Sequence, residues 1–135
     1  LPLGELAAAV VARLPRDLVI AAPPPGLETP VRASVAAMAL VLRCVARSLL
    51  AIDVREAEVG VSATEGPPWL ALVAAAPAVR TAHEASARAR YNDSPHGVFT
   101  SRLHLARVAA SRAGVPLTIT FDGERLRATV ALDPA

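Results

Sequence analysis

The chain has 135 residues, of which 53% are hydrophobic but only 3% aromatic, so we expect a single domain with a core built from Ala, Val and Leu. The net charge is only +2 and the arginines are spread from Arg13 to Arg127 without a cluster, which argues against nucleic-acid binding. Because Cys44 is the single cysteine, no disulfide framework is possible, and we expect a reducing, cytoplasmic environment. The most apolar stretch, residues 33–42, is shorter than the roughly 20 residues that cross a bilayer, so we expect no membrane span, no signal peptide and no membrane contact.

The first third of the chain indicates a helix, a short strand and a long helix. Apolar side chains follow helical spacing before Pro15, at Leu3, Leu6, Val10 and Leu14. Residues 17–22, DLVIAA, are typical of a brief strand, and the PPPG that follows predicts a position near the edge of a sheet. From Val31 to about Ile52 neither Gly nor Pro occurs, which predicts the main helix. One stripe of this helix is apolar: Val35, Met38, Leu42, Val45 and Leu49.

The rest of the chain indicates two hairpins separated by helical segments. The apolar runs 57–63 and 69–75 flank TEGPP and predict two antiparallel central strands. Residues 79–99 combine a possible helix over 82–90 with the polar loop YNDSPHGV at 91–98, which we expect to be a mobile, lid-like stretch.

The chain closes with a predicted helix and a second hairpin. Thr100 or Ser101 is the expected N-cap of the helix, and Gly114 is its expected end. Its buried side is expected to contain Leu103, Ala106, Val108 and Ala110. The runs LTITF and LRATVAL then flank DGER, and Asp-Gly is a strong hairpin turn. We therefore predict one α+β domain over residues 1–135, a two-layer sandwich whose mostly antiparallel mixed sheet has three main helices on one face.

Several strings in this order resemble the catalytic ATP-binding domain of sensor histidine kinases, the GHKL or Bergerat ATPase family, across the whole chain. LPLGELAAAVVARL is similar to the opening helix of the family, and VRAS at 31–34 lies where the family leads into the long helix that has its N box. WLALVAAAPAV at 69–79 is similar to the strand that ends in the G1 box, including Pro77. Residues 101–132 resemble the closing helix and terminal hairpin. The resemblance implies a Bergerat-like fold and a role in bacterial two-component signalling.

The N box of the family uses asparagines to hold the Mg²⁺ that bridges the nucleotide phosphates, because a hard cation takes oxygen ligands. With the long helix aligned through VRAS, the resemblance places Cys44 and Ser48 at those positions, and a shifted alignment places Ala39 and Arg43 there. The first asparagine in the chain is Asn92, so neither alignment restores the ligand. Cys44 is expected to be a small buried apolar residue.

The G1 and G2 boxes lack their chemistry as well. In the family an Asp of the G1 box accepts the adenine amino proton, and two glycines let the backbone approach the nucleotide. The resemblance places Ala74 at the Asp position and Ala76 and Ala78 at the glycine positions, and residues 66–83 contain no acid. Of the G2 box, Gly-x-Gly, which cradles phosphates, Gly97 alone is present.

We therefore expect a degenerate ATPase domain whose ATP site is lost, with no catalytic residue, no metal and no cofactor. It would act as a protein-interaction module in a two-component or phosphorelay pathway, with a response regulator or a kinase as partner. Two modes are open, a pseudokinase domain and the C-terminal half of a dimeric histidine phosphotransferase, and a homodimer would form through segments outside this chain. One alternative is a diverged kinase domain that still binds Mg-ATP through backbone contacts and residues 91–99, and another is a scaffold unrelated to phosphorelay.

The remaining polar and aromatic residues have simpler interpretations. His83 with Glu84 is similar to a phosphoacceptor pair, but a solvated histidine in the lid-like stretch is expected. His96 and His104 have no Cys or clustered acids nearby in sequence and make a poor metal pair. Trp69 is expected to pack in the core rather than to anchor a partner. Three acids are expected to form a solvated connection after the long helix: Asp53, Glu56 and Glu58.

Overall fold

A five-stranded mixed sheet is covered on one face by helices in the computed structural model, which describes residues 1–21, 27–64, 66–86 and 94–135. The helices of these residues are α1 Leu3–Val11, α2 Val35–Ala51, α3 Pro77–Ser86 and α4 Pro95–Ala113. The strands are β1 Val19–Ala21, β2 Val31–Arg32, β3 Glu56–Ser62, β4 Trp69–Ala75, β5 Leu117–Asp122, β6 Arg125–Ala131 and β7 Asp133–Pro134.

The strand order of the large sheet is β1-β3-β4-β6-β5. Strand β1 runs parallel to β3, and the other neighbours are antiparallel. The prediction of a mostly antiparallel mixed sheet in an α+β sandwich is confirmed, and so is the brief strand at the sheet edge. Strands β2 and β7 form a separate antiparallel pair.

The core lies between the helices and one face of the sheet. Because side chains alternate along a strand, every second residue of the central strands faces the helices. On β4 these residues are Leu70, Leu72 and Ala74, and on β6 they are Leu126, Ala128 and Val130. Helix α2 packs most extensively against α4 and also contacts α1. The helices contribute mainly aliphatic side chains to the core, including Leu6, Val10, Met38, Leu42, Val45, Leu49, Phe99 and Leu103.

The main helix begins at Val35 and not at Val31 as predicted. The Oγ atom of Ser34 accepts a hydrogen bond from the backbone N–H of Ala37 at 3.2 Å, so Ser34 is the N-cap. Residues 31–32 form β2 because their backbone pairs with β7.

Helices α3 and α4 both begin earlier than predicted. Helix α3 begins at Pro77, and the predicted helical residues 87–90 lie outside the described residues. Helix α4 begins at Pro95, so the predicted loop 91–98 is helical in its second half, and residues 91–93 lie outside the described part. The predicted N-cap is wrong, because the Thr100 hydroxyl donates to the His96 carbonyl within the helix at 2.9 Å, and Ser94 caps the helix instead.

The ends of the last elements follow the predicted turn chemistry. Gly114, at φ 67°, is the left-handed C-cap of α4. Gly123, at φ 60°, is the first residue of the loop between β5 and β6, a position that favours glycine in two-residue hairpins. The terminal hairpin is therefore confirmed.

Candidate functional site

A cavity of about 410 Å³ lies where the end of α2, the first turn of α3 and the start of α4 meet. Its lining is largely apolar, with a few polar side chains: Ala51, Ile52, Asp53, Ala78, Thr81, Pro95 and His96. It is the place at which the long helix, the end of the G1-like segment and the G2-like segment converge. The cavity is therefore the candidate site for the ligand that the resemblance implies.

The two N-box positions on α2 are occupied by side chains that pack inside the protein. Ser48 is fully buried, and its hydroxyl donates to the carbonyl of Val45 at 2.6 Å within the same helix. Cys44 is a free cysteine that packs against the core but is only half-buried, whereas a buried residue was predicted. Neither residue lines the cavity, so neither contributes an oxygen ligand there.

The shifted alignment gives no ligand either. Ala39 is buried at 1% exposure. The Arg43 guanidinium donates from Nε and Nη2 to the carbonyl of Arg13, at 3.2 and 3.1 Å, so this arginine ties α2 to the end of α1.

The G1-like segment continues from β4 into α3 with methyl groups at its key positions. Ala74 is 2% exposed and belongs to the core face of β4. The N–H of Ala76 donates to the carbonyl of Glu124 at 3.0 Å, which fixes the strand end to the β5–β6 hairpin. Ala78 lies in the first turn of α3 and lines the cavity. Of the three positions, only the last faces the candidate site directly.

Gly97 lies in the first turn of α4, beside the cavity residue His96. It is buried, and its N–H donates to the Oγ atom of Ser94 at 3.1 Å. A helix N-terminus offers free N–H groups to an anion, but here the capping serine already takes this one.

The acidic side chains after α2 separate in the structure. Asp53 lines the cavity, with φ 61°, and its Oδ1 accepts a charge-assisted hydrogen bond from Arg55 at about 3 Å. Glu56 and Glu58 lie instead on β3, exposed on the sheet face that the helices leave open. The predicted single acidic connection is therefore wrong, because the strand begins at Glu56.

The surroundings of the histidines do not support their interpretation as metal ligands or as a phosphoacceptor. No group of three or more His, Cys, Asp or Glu side chains that could hold a metal occurs within the described ranges. His83 is exposed but is not a freely solvated lid residue, because its ring stacks on Phe121 with the centroids 3.8 Å apart. Helix α3 is therefore attached to the sheet.

Trp69 is not a core residue, contrary to the prediction. It is half-buried on the open face of the sheet, where it packs over Gly60, and a Cβ on that glycine would lie 3.6 Å from the indole ring. The Arg127 guanidinium lies over the ring, with Cζ 4.5 Å from the centroid. The sequence did not predict that Trp69 lies on the open face, because the run 69–75 is apolar on both faces of β4.

In the part of the chain that the structure describes, no helix combines the length and the apolar character needed to cross a bilayer. No protein-family model and no curated protein matches the sequence.

Solved structures with a similar fold include histidine kinases and their domains. The ATP-binding domain of PrrB from Mycobacterium tuberculosis matches with TM-score 0.60 and 13% identity, over 100% of this chain and 96% of that one. The histidine kinase domain of the E. coli osmosensor EnvZ matches with TM-score 0.57 and 12% identity, over 100% and 87%. The mycobacterial sensor histidine kinase MprB matches with TM-score 0.53 and 12% identity, over 100% and 97%. The chain therefore has the histidine-kinase-like ATPase fold.

Proposed function

We propose that residues 1–135 form a degenerate histidine-kinase-like ATPase domain that does not bind Mg-ATP productively and acts as a protein-interaction module in bacterial two-component or phosphorelay signalling. The fold supports a signalling role in two-component systems. The domain works in the cytoplasm with a protein partner, either a response regulator or a kinase, as a pseudokinase domain or as the C-terminal half of a histidine phosphotransferase.

The observation that supports the loss of ATP binding most strongly is the buried methyl group of Ala74 at the position of the adenine-reading carboxylate. Each lost charge-assisted hydrogen bond weakens binding by about 1–3 kcal/mol. Since every 1.4 kcal/mol is about tenfold in affinity, loss of the carboxylate together with the metal ligand and glycines lowers the affinity by several orders of magnitude.

The α2 side of the cavity supports the same proposal. Mg²⁺ bound with a nucleotide needs one or two oxygen ligands from the protein beside the phosphates. Ser48 directs its hydroxyl to its own helix, and Cys44 offers sulfur, which suits softer metals.

A second candidate function is a diverged kinase domain that still binds Mg-ATP. The cavity of about 410 Å³ favours it, because its volume falls within the range of small-molecule sites and its lining includes Asp53, Thr81 and His96. This candidate needs contacts from backbone groups in place of the missing boxes.

Calorimetric titration of the 135-residue chain with Mg-ATP separates the two functions, with the ATP-binding domain of PrrB as a positive control in the same buffer. The proposal expects no saturable heat. A dissociation constant at or below about 100 μM for this chain would establish the second candidate instead.

A further inference from the structure

The open face of the sheet has three parallel columns of side chains with different chemistry. Strand β3 contributes an acidic column, β4 a small apolar column, and β6 a basic column. At the end of the face where β3 and β6 begin, the columns are, in that order, Glu56 and Glu58, Ala75 and Val73, and Arg125 and Arg127, and Trp69 lies at the other end of the β4 column.

The strand register aligns these columns row by row. Glu58 pairs with Val73, and Val73 pairs with Arg127, so these residues form one row across three strands. Ala75 pairs with Arg125 in the next row on the same face. Since β3 and β6 both run antiparallel to β4, they are parallel to each other, and Glu56 falls in the row of Arg125.

Within the described residues, no ion pair joins the acids of β3 to the arginines of β6, and Asp122 of β5 lies opposite Arg125 in the register. Acidic and basic columns are two strands apart, which separates their backbones by about 10 Å. Within the described residues, the side chains of Glu56, Glu58 and Arg125 have no ion-pair or hydrogen-bond partner. The face therefore presents ordered charges of both signs on either side of an apolar strip.

One end of the face is shallow and accessible, where β1 and β4 end and β3 and β6 begin. A depression of about 240 Å³ lies over β4 and its neighbours, lined by Ala21, Val73 and Ala75 and bordered by Glu56 and Arg125. On the edge strand β1, Val19 is 66% exposed. The small side chains Val73 and Ala75 at this end allow another sheet to approach to the usual face-to-face distance of about 10 Å.

We infer that this open sheet face is a self-association surface, whose occupant is the same face of a second copy of the chain. A twofold axis between the two sheets, running nearly along β4, places the acidic column of each copy over the basic column of the other. Four Glu–Arg contacts then surround two apolar strips, an isologous arrangement in which each contact occurs twice. Charge complementarity of this kind determines the register of the partners.

The side chains of Arg127 and Arg125 differ in how firmly the protein holds them. The guanidinium of Arg127 covers Trp69, and its Nε donates to the Thr129 hydroxyl at 3.1 Å, so this side chain is held flat on the sheet. Arg125 is exposed, and its side chain makes no hydrogen bond or ion pair within the described residues. The pair formed by Glu56 and Arg125 is therefore the cleaner pair to test, because changing it leaves the Trp69 packing intact.

Sedimentation equilibrium of the 135-residue chain, up to about 1 mM at low salt, tests the inference. We expect a reversible dimer that weakens as salt is added, because screening reduces contacts between exposed charges. A chain that is monomeric over the whole concentration range would overturn the inference.

A charge-swap experiment identifies the surface. Glu56→Arg and Arg125→Glu each place two like-charge contacts in the homodimer, so each variant alone is expected to dimerise at least about tenfold more weakly. In an equimolar mixture, the substituted position of each variant meets the opposite charge on the other, and we expect the affinity to return to within about threefold of the unsubstituted chain. Unchanged dimerisation of the single variants, or no recovery in the mixture, would overturn the inference.

Matched charge reversals on the helical side serve as controls. Glu5→Arg on α1 and Arg107→Glu on α4 change the charge by the same amount at exposed positions away from the sheet face. Both are expected to leave dimerisation unchanged, and a thermal melt of every variant checks that it is folded. Self-association is measured by the mass of the particle and nucleotide binding by heat. The result of the dimerisation experiment is therefore independent of the result of the ATP titration.

Discussion

The imidazole ring of His83 lies flat against the ring of Phe121, with the centroids 3.8 Å and the planes 6° apart. His83 belongs to α3 and Phe121 to β5, and Phe99 of α4 meets Phe121 edge-on at 6.3 Å. These three rings join two helices to the terminal hairpin. Helix α3, which forms one wall of the candidate cavity, is therefore held in place by packing against the sheet.

Substitution of His83 tests this attachment. We expect His83→Ala to lower the free energy of unfolding by about 1 kcal/mol, because aromatic pairs contribute about that much beyond their buried area. Urea denaturation measures the change, with Glu84→Ala, an exposed neighbour on the same helix, as a control within about 0.5 kcal/mol of the unsubstituted chain. Equal effects of the two substitutions would show that the stack does not stabilise α3.

Restoring the acid of the G1 box tests whether the strand end is closed. We expect Ala74→Asp to lower the free energy of unfolding by about 3 kcal/mol, since it places a carboxyl group in the core without a partner. The control is Ala75→Asp, which lies on the open face and is expected to cost less than about 1 kcal/mol. If Ala74→Asp is tolerated as well as Ala75→Asp, the Ala74 position opens onto a solvated site and the account is wrong.

Ser48 provides the corresponding test on α2. Its hydroxyl bonds only to its own helix in the described structure, so Ser48→Ala is expected to change the free energy of unfolding by less than about 0.5 kcal/mol. The larger Ser48→Asn is expected to cost about 1–3 kcal/mol by overpacking a fully buried position. Chemical denaturation measures both. An asparagine without cost at this position would indicate room beside α2 for an N-box side chain.

Trp69 is the single tryptophan of the chain and reports directly on the open face. We expect its emission to shift to shorter wavelength as protein concentration rises, because a second copy would remove water from the half-buried indole ring. The Glu56→Arg variant is expected to show no such shift over the same range. A concentration-dependent shift of equal size in both proteins would place self-association elsewhere.

Much of the fold could be predicted because periodicity and turn residues act locally. The alternation in β5 and β6, with Gly123 between them, was sufficient for the terminal hairpin. The predicted starts of α2 and α4 are wrong, because helix capping competes with strand pairing and with other possible caps nearby. In α4 the expected N-cap was Thr100 or Ser101, but the helix is capped by Ser94 and begins at Pro95.

The candidate site and the open face could be predicted only in part, because they depend on contacts between distant residues. The resemblance predicted which residues occupy the positions of the family's boxes, but Ala74, Ala78 and Gly97 differ in burial and in access to the cavity. His83 and Phe121 are far apart in sequence, and no local pattern joins them. The facing columns of acids and arginines become visible only once the register of β3, β4 and β6 is known.

A titration of the ¹⁵N-labelled chain with Mg-ADP, followed by amide chemical shifts, tests the central claim most directly because it reports both binding and location. Loss of the ATP site predicts no saturable shift at Ala78, His96 or Gly97 up to about 1 mM nucleotide. Saturable shifts at these cavity residues with a dissociation constant at or below about 100 μM would contradict it.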